Sequence, residues 1–347
     1  MEVSKKFKLF LPGIAQNDNQ KIKIIAADLR VVETKLRYLE TENSQLVQKA
    51  EKSYKTCNFS GFEEMVKEFI SSVGISGSFR ISVAVPGPVM NGVSQPERLH
   101  WTLDSQKIKL AIGAEKVFLI NDLEASAYGL ANISDADLVE IHKTEIASVG
   151  NVAILAPGNG LGEAGLFCDG TFLRPFATEG GHCEFSPRTN DEVDFYQFLH
   201  RIYGIVSWET VLTDSGLFNI YRFLRDVKHL VEPNWLTQEI ESGNFINAII
   251  EGALEDRDRI CTITIDTFLI FLAREANSLV LKLKATGGLI LSGDMAVALQ
   301  KLLNKDKFYK NFILSDKMEH ILKDIPIYLL LNQNTIICGA ANYGVYS

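Results

Sequence analysis

Cysteine is scarce in this sequence, and what there is does not pair by spacing. Cys57, Cys168, Cys183, Cys261 and Cys338 are five in number and widely scattered, with no C-x-x-C pair and no His-rich partner segment. Neither a disulfide frame nor a zinc site is expected, and reduced thiols fit best. Positive charge is also short: 35 Lys and Arg stand against 43 Asp and Glu, for a formal net charge of -8, with no basic stripe. A nucleic-acid partner needs clustered cations facing phosphates, so none is expected. No run approaches the ~20 apolar residues of a membrane span. The N-terminus, charged at Glu2, Lys5, Lys6 and Lys8, lacks the apolar stretch of a signal peptide. These absences lead to the expectation of a cytoplasmic protein without a membrane partner.

What is present is ordinary globular material, 46% hydrophobic and 22% charged over 347 residues. That is longer than a single core usually grows, so two lobes are expected. Residues 1–20, with Pro12, Gly13, Asn17, Asp18 and Asn19, read as an irregular leader. From Lys21 the order is β-β-β-α-β-α: strands at 22–27, 35–40 and near Tyr54, and a helix opened by a Ser60–Glu63 capping box with Phe62, Met65, Val66, Phe69, Ile70 and Val73 on one face. A strand at 79–85 is cut by Pro86-Gly87-Pro88, a short helix ends near Gly113, and a strand covers 117–120. A mixed sheet carrying helices follows from that order. The second lobe opens with the strand 152–155. It becomes mainly helical after residue 190, with a long apolar helix at 259–283, a strand and turn at 288–294, a strand at 327–331 and a small-residue helix around 338–341.

Three stretches carry candidate chemistry. Asn121-Asp122 ends a buried strand where a helix begins, so the pair reads either as a helix cap or as acid chemistry at a strand edge. Gly158-Asn159-Gly160-Leu161-Gly162 is a loop whose backbone can approach a ligand, although turns need glycine too. Glu179 and His182 flank two glycines, which leaves little bulk between side chains that could converge on a small polar ligand. Metal ligation by His182 is the weaker alternative, since no cysteine cluster accompanies it.

Together, Asp28 after the first strand, Asn121-Asp122, the glycine loop, Glu179-Gly180-Gly181-His182, Ser207-Trp208-Glu209 and Gly288 to Gly293 resemble the bacterial glucokinases of the actin-like ATPase, or ribonuclease-H-like, superfamily. The resemblance spans about residues 20–347. It implies a two-lobed α/β fold with a ligand cleft between the lobes: a small lobe of residues 21–132 plus 329–347 and a large lobe of 133–328. It implies transfer of the ATP γ-phosphate to a hexose, glucose at its 6-hydroxyl, with Asp122 as general base and Asn121, Asp122, Glu179, His182 and Glu209 binding the sugar. Asp28, Gly158, Asn159, Gly160, Gly162 and Gly293 would line the nucleotide, with Asp28 holding Mg²⁺ through water. A homodimer is implied as well, and no zinc.

One place departs from the family pattern. Where the family has an Asp-x-Gly-Gly-Thr hairpin that grips phosphates, this chain reads Asp28-Leu29-Arg30-Val31-Val32-Glu33-Thr34. β-Branched Val31 and Val32 do not tolerate positive φ, and Glu33 repels phosphate. Asn159 replaces a Thr, and Asp294 takes the place of a glycine. A sugar-binding pseudokinase with weak or no ATP turnover is therefore the alternative to a hexose kinase.

Overall fold

In a computed structural model of the chain, residues 6–11, 21–43, 45–144 and 149–346 are described. The expected leader positions Pro12, Gly13, Asn17, Asp18 and Asn19 lie outside them. The chain forms two compact units, one of Met1–Asp137, Ala164–Ala177 and Asn332–Ser347, the other of Leu138–Glu163 and Thr178–Leu331. Residues 164–177 thus group with the first unit.

The first unit is built on a sheet ordered β3-β2-β1-β4-β7. Its strands are β1 (Lys23–Asp28), β2 (Glu33–Glu42), β3 (Gln45–Lys55), β4 (Arg80–Val85) and, beyond a small ladder of β5 (Val93–Ser94) with β6 (Leu103–Asp104), β7 (Lys116–Asn121). β1 pairs antiparallel with β2 and parallel with β4, and β4 pairs parallel with β7. A central strand covered on both faces must be apolar throughout, which is why Ile24, Ile25, Ala26 and Ala27 are all fully buried. On one face lie the helices α1 (Phe62–Val73) and α2 (Ser105–Ile112). α1 buries Phe62, Met65, Val66 and Phe69 and stops at Gly74, whose φ of 74° is left-handed. The expected Ser60–Glu63 capping box does not form: the helix starts at Gly61 without a side-chain cap, and Ser60 instead gives its amide and hydroxyl to Glu64. A glutamate four residues on reaches back where one three residues on does not.

On the other face α3 (Asp122–Gly129) packs with the C-terminal helix Thr335–Tyr346. The approach is close enough that a Cβ on Gly339 would lie 1.6 Å from the Ala125 carbonyl oxygen, and one on Gly129 2.0 Å from that of Thr335. The small residues of that C-terminal stretch are therefore packing requirements. Part of the leader is ordered, contrary to its irregular composition: Leu9 is buried and bridges Leu173 in parallel, and Phe10 N donates to Leu173 O at 2.9 Å.

In the second unit β8 (Leu138–His142) and β9 (Val152–Pro157) belong to the sheet; β10 (Leu161–Cys168) and β11 (Leu173–Thr178) follow in sequence, most of their residues grouping with the first unit. Then come α4 (Asn190–Tyr203), α5 (Trp208–Val211), α6 (Asp214–Asp226), α7 (Asn234–Glu241), α8 (Phe245–Leu254) and α9 (Arg259–Leu283). The chain continues through β12 (Gly288–Leu291), α10 (Asp294–Ala298), α11 (Lys305–Ile313), α12 (Glu319–Leu322) and β13 (Ile327–Leu330). β12 is paired in parallel with β9 and β13, and β8 runs antiparallel to β13. α9 supplies the core of this unit, burying Ile260, Phe268, Phe271, Leu272 and Leu279 together with the polar Arg274, Glu275 and Asn277. Among the described residues no helix is long and apolar enough to cross a membrane.

Candidate functional site

The Asn121-Asp122 corner satisfies both readings of its sequence at once. Asn121 caps α3: its Oδ1 accepts from Leu123 N at 3.0 Å and Glu124 N at 3.1 Å, while its Nδ2 donates to Gly87 O at 3.1 Å in the Pro86-Gly87-Pro88 turn. Tied by these three hydrogen bonds, Asn121 is 7% exposed. Asp122 follows at the first position of the helix, half-buried, with Oδ1 accepting from Leu123 N at 2.8 Å. A carboxylate there is favoured by the positive end of the helix dipole. One turn further, burial pushes the Glu124 carboxyl up to about 7. Glu124 was missed from sequence, where a lone acid in a short helix gives no signal. A cavity of about 380 Å³ runs beside β7, lined by Asn91, Ser105, Phe118, Asn121, Glu124 and Tyr343 among others.

At the other expected position of this unit, Asp28 ends β1, 7% exposed. Both of its carboxylate oxygens receive the Arg30 Nε at 3.1 Å. The turn is then locked from behind: the Arg30 carbonyl accepts from Thr56 Oγ1 at 2.7 Å and Thr34 Oγ1 at 3.4 Å, and Thr56 N donates to Val32 O at 3.0 Å. Val32 projects into solvent, 73% exposed. A magnesium ion accompanying a nucleotide would compete with Arg30 for the Asp28 carboxylate. The residues as they stand fit the ion poorly, so Asp28 is not assigned as a water-mediated Mg²⁺ ligand.

In the second unit the remaining candidates gather around the glycine loop. Gly158 N donates to Gly160 O at 2.9 Å, and Asp214 N at the start of α6 donates to Gly158 O at 3.0 Å. The Glu209 carboxylate accepts from Leu161 N at 3.1 Å, and a Cβ on Gly160 would stand 3.1 Å from the same oxygen. Ser207 caps α5 in a reciprocal capping box with Thr210, and this short helix presents Glu209 in its first turn. Gly293 sits at φ 86°, and a Cβ there would lie 2.5 Å from Pro157 O, which brings the end of β12 against the glycine loop. Asp294 opens α10, its amide 3.9 Å from where a Gly158 Cβ would be.

Glu179 to His182 forms a 3-10 turn, with His182 N donating to Glu179 O at 3.1 Å and both side-chain-bearing ends exposed. Its glycines have a reason that spacing did not reveal. A Cβ on Gly181 would meet Leu161 O at 2.2 Å, and one on Gly180 would meet Glu163 Oε2 at 1.9 Å. Trp208 N donates to Cys183 O and Phe185 N to Val206 O, both at 2.9 Å, so the turn and the Ser207–Glu209 cap are neighbours. The structure therefore brings Glu179, His182, Glu209 and Gly158 to Gly162 into one region of the second unit. Asn159 lies in the loop and is exposed, as is His182.

The sequence profile described as Glucokinase matches residues 25–345. The chain is 31% identical over 333 residues to a protein named glucokinase from Trichormus variabilis, covering 92% of this chain and 97% of that protein. Among solved structures, glucokinase from Balamuthia mandrillaris in complex with glucose superposes with a TM-score of 0.77 at 18% identity, covering 97% of each chain. A ROK family glucokinase from Streptomyces griseus in complex with glucose and AMPPNP superposes with a TM-score of 0.62 at 14% identity, covering 93% of this chain and 99% of that one. The fold is thus the two-lobed α/β fold of the actin-like ATPases, and with residues 25–345 matching its profile the chain belongs to the glucokinase family.

Proposed function

We propose that this chain is an ATP-dependent hexose kinase that moves the γ-phosphate of ATP to the 6-hydroxyl of glucose, with Asp122 as general base. The observation that carries the reading is the Asn121-Asp122 corner, where a capped strand end and a proline-flanked turn fix a carboxylate at the start of a helix. In the reaction Asp122 accepts the proton of the attacking hydroxyl as its oxygen reaches the γ-phosphorus. Asn121, Glu179, His182 and Glu209 offer an amide, two carboxylates and an imidazole to the other hydroxyls, a set that disfavours a sugar lacking one hydroxyl because its partner then loses a hydrogen bond. Gly158, Asn159, Gly160, Gly162 and Gly293 present backbone to the nucleotide. Magnesium brought in with ATP would supply charge neutralisation at the phosphates.

The two units correspond in this reading to the small and large lobes of the family, and a cytoplasmic homodimer is part of it. Nothing in the comparisons favours the binding-only alternative. A coupled ADP-release assay with purified protein, magnesium and ATP across a panel of hexoses tests the proposal. ADP release that depends on glucose is the expected result, and no sugar-dependent release with any hexose would overturn it.

A further inference from the structure

Two carboxyls lie beneath the Glu179–His182 turn, and the reaction described above uses neither. Glu163, in β10, is 2% exposed, and Glu275, in α9, is wholly buried. The Glu163 carboxyl is the floor of the turn, since Oε2 stands only 1.9 Å from where a Gly180 Cβ would be. Thr178 ties the same residues together, donating from Oγ1 to the Glu163 carbonyl at 3.0 Å and accepting from Gly180 N at 3.3 Å. Glu163 and Glu275 lie close enough for their charges to repel, and burial with that repulsion favours a proton on the pair. Glu163 Oε1 and Glu275 Oε2 are buried with no hydrogen-bond partner in the structure, so a proton on either acid has an acceptor to find. Glu275 Oε1 lies 3.3 Å from Lys282 Nζ.

The neighbouring position of α9 holds the far end of the same segment. Arg274 donates to Ser186 O at 2.6 Å and pairs with Glu192 of α4 at 2.5 Å. The sugar-binding turn is thereby held from one helix at two points, by Arg274 directly and by Glu275 through Glu163.

We infer that Glu163 is a positioning residue for this turn: its carboxyl, sharing one proton with Glu275, supports Gly180 from below and so fixes the backbone that carries Glu179 and His182. The inference rests on the reading of those two residues as sugar partners. With one proton on the pair and Lys282 charged, the buried cluster is neutral. Loss of that proton sets two carboxylates against each other under Gly180 and displaces the floor. Burial pushes both acids up, Glu275 to about 8, so the loss falls within an accessible pH range. The other charged groups acting on the pair are Lys282 and Arg274 on α9, with Glu192 on α4 and Arg188 in the segment before it acting on Arg274.

The test combines glucose affinity by calorimetry from about pH 6 to about pH 9 with hydrogen exchange of the amides at 178–183 in the sugar-free protein. Wild-type affinity should fall above about pH 8, where the pair deprotonates. Glu275→Gln, whose amide donates to Glu163 and cannot ionise, should keep the low-pH affinity throughout. Since His182 and Glu179 are unchanged in that variant, any difference from wild type belongs to the pair. Glu163→Ala should raise the glucose KM by about ten- to a hundredfold, more than it lowers kcat, and speed exchange over the turn. Circular dichroism checks the fold of each variant, and Glu163→Gln should recover most of the lost affinity. Identical pH profiles in wild type and Glu275→Gln, with exchange over 178–183 unchanged in Glu163→Ala, would overturn the inference. If the wild-type protein binds no hexose, the sugar reading fails instead, and the exchange comparison still decides whether Glu163 holds the turn.

Discussion

The turn between β1 and β2 offers the sharpest quantitative test, because there the chain departs from its family. Rebuilding it as Arg30→Gly, Val31→Gly and Val32→Thr changes three side chains while keeping the backbone acceptors at Arg30 and Val32 that Thr34 and Thr56 use. The stability cost has two parts. Each new glycine adds freedom to the unfolded chain, at about 1 kcal/mol. The lost Arg30–Asp28 pair adds at most about 1 kcal/mol, discounted because the arginine side chain is 41% exposed. Val32 contributes little, being largely in solvent. The sum is about 2 to 3 kcal/mol, a drop of several degrees in melting temperature.

The gain is on the nucleotide side. A preorganised backbone N–H aimed at a phosphoryl oxygen is worth about 10²–10³ in rate, and removing Arg30 also uncovers the Asp28 carboxylate. The rebuilt protein should therefore show a lower KM for ATP and kcat/KM for ATP higher by about 10² or more, measured by coupled ADP release at saturating glucose. Val32→Thr alone is the control and should change neither. A melting temperature that falls as expected with kcat/KM for ATP unchanged would mean that the turn does not touch phosphate. Wild-type turnover already at ordinary kinase rates, of order 1–100 per second, would refute the reasoning from the other side.

Three further outcomes are expected. Asp122→Asn should leave glucose affinity nearly intact and lower kcat by about 10²–10⁴, read in the same assay; an unchanged kcat would reduce Asp122 to a helix-start residue. Gly339→Ala should destabilise by about 2 kcal/mol or more in thermal melting, because its Cβ would fall 1.6 Å from the Ala125 carbonyl and the two helices must separate. Glu275→Gln tests linkage: the folded protein holds this proton more tightly than the unfolded chain does, so the contribution of Glu275 to stability is full below about pH 4.5 and is lost as pH rises through about 8. The variant should accordingly gain on wild type by about 2 to 4 kcal/mol between about pH 5 and about pH 9, and equal pH dependence would refute the assignment of the proton.

What could be read from the sequence was what local patterning encodes. The boundaries of β1, β7 and α9 follow from continuous apolar runs and helical spacing, and α9 was expected at the residues where it lies. β3 was expected only near Tyr54, yet it runs from Gln45 to Lys55. It is an edge strand, held to β2 by backbone pairing with most of its side chains in solvent, so no apolar alternation marks its length. The bridge between Leu9 and Leu173 joins segments too distant in sequence for any local pattern to announce. α7 and α8, and the strands β10 and β11, were likewise left without assignment, as was Glu163 beneath Gly180. A buried glutamate in a strand reads from sequence as a surface charge, and only its partner on α9 shows otherwise.

The structure also changes the weight of the motifs. Glycines 181 and 293 are demanded by carbonyl oxygens 2.2 and 2.5 Å from where a Cβ would be, so any sequence with this fold would need them whether or not it bound a ligand. Asn121 is likewise required as a helix cap, which contributes about 1 kcal/mol regardless of chemistry. Glu179 and His182 are different: exposed on a turn whose backbone is fixed from below, they do little for the packing of the unit. A fold that holds a turn so firmly while leaving its two polar side chains at the surface stabilises a geometry and not a core, and that geometry is what a sugar's hydroxyls would use. The same logic explains the turn at Arg30. Its carbonyl is held by Thr34 and Thr56, but nothing packs where a Cβ at 31 or 32 would sit closely enough to require glycine, so the fold tolerates two valines there. A family motif is most easily lost where only a ligand needed it, and the turn between β1 and β2 is a place where the fold itself makes no such demand.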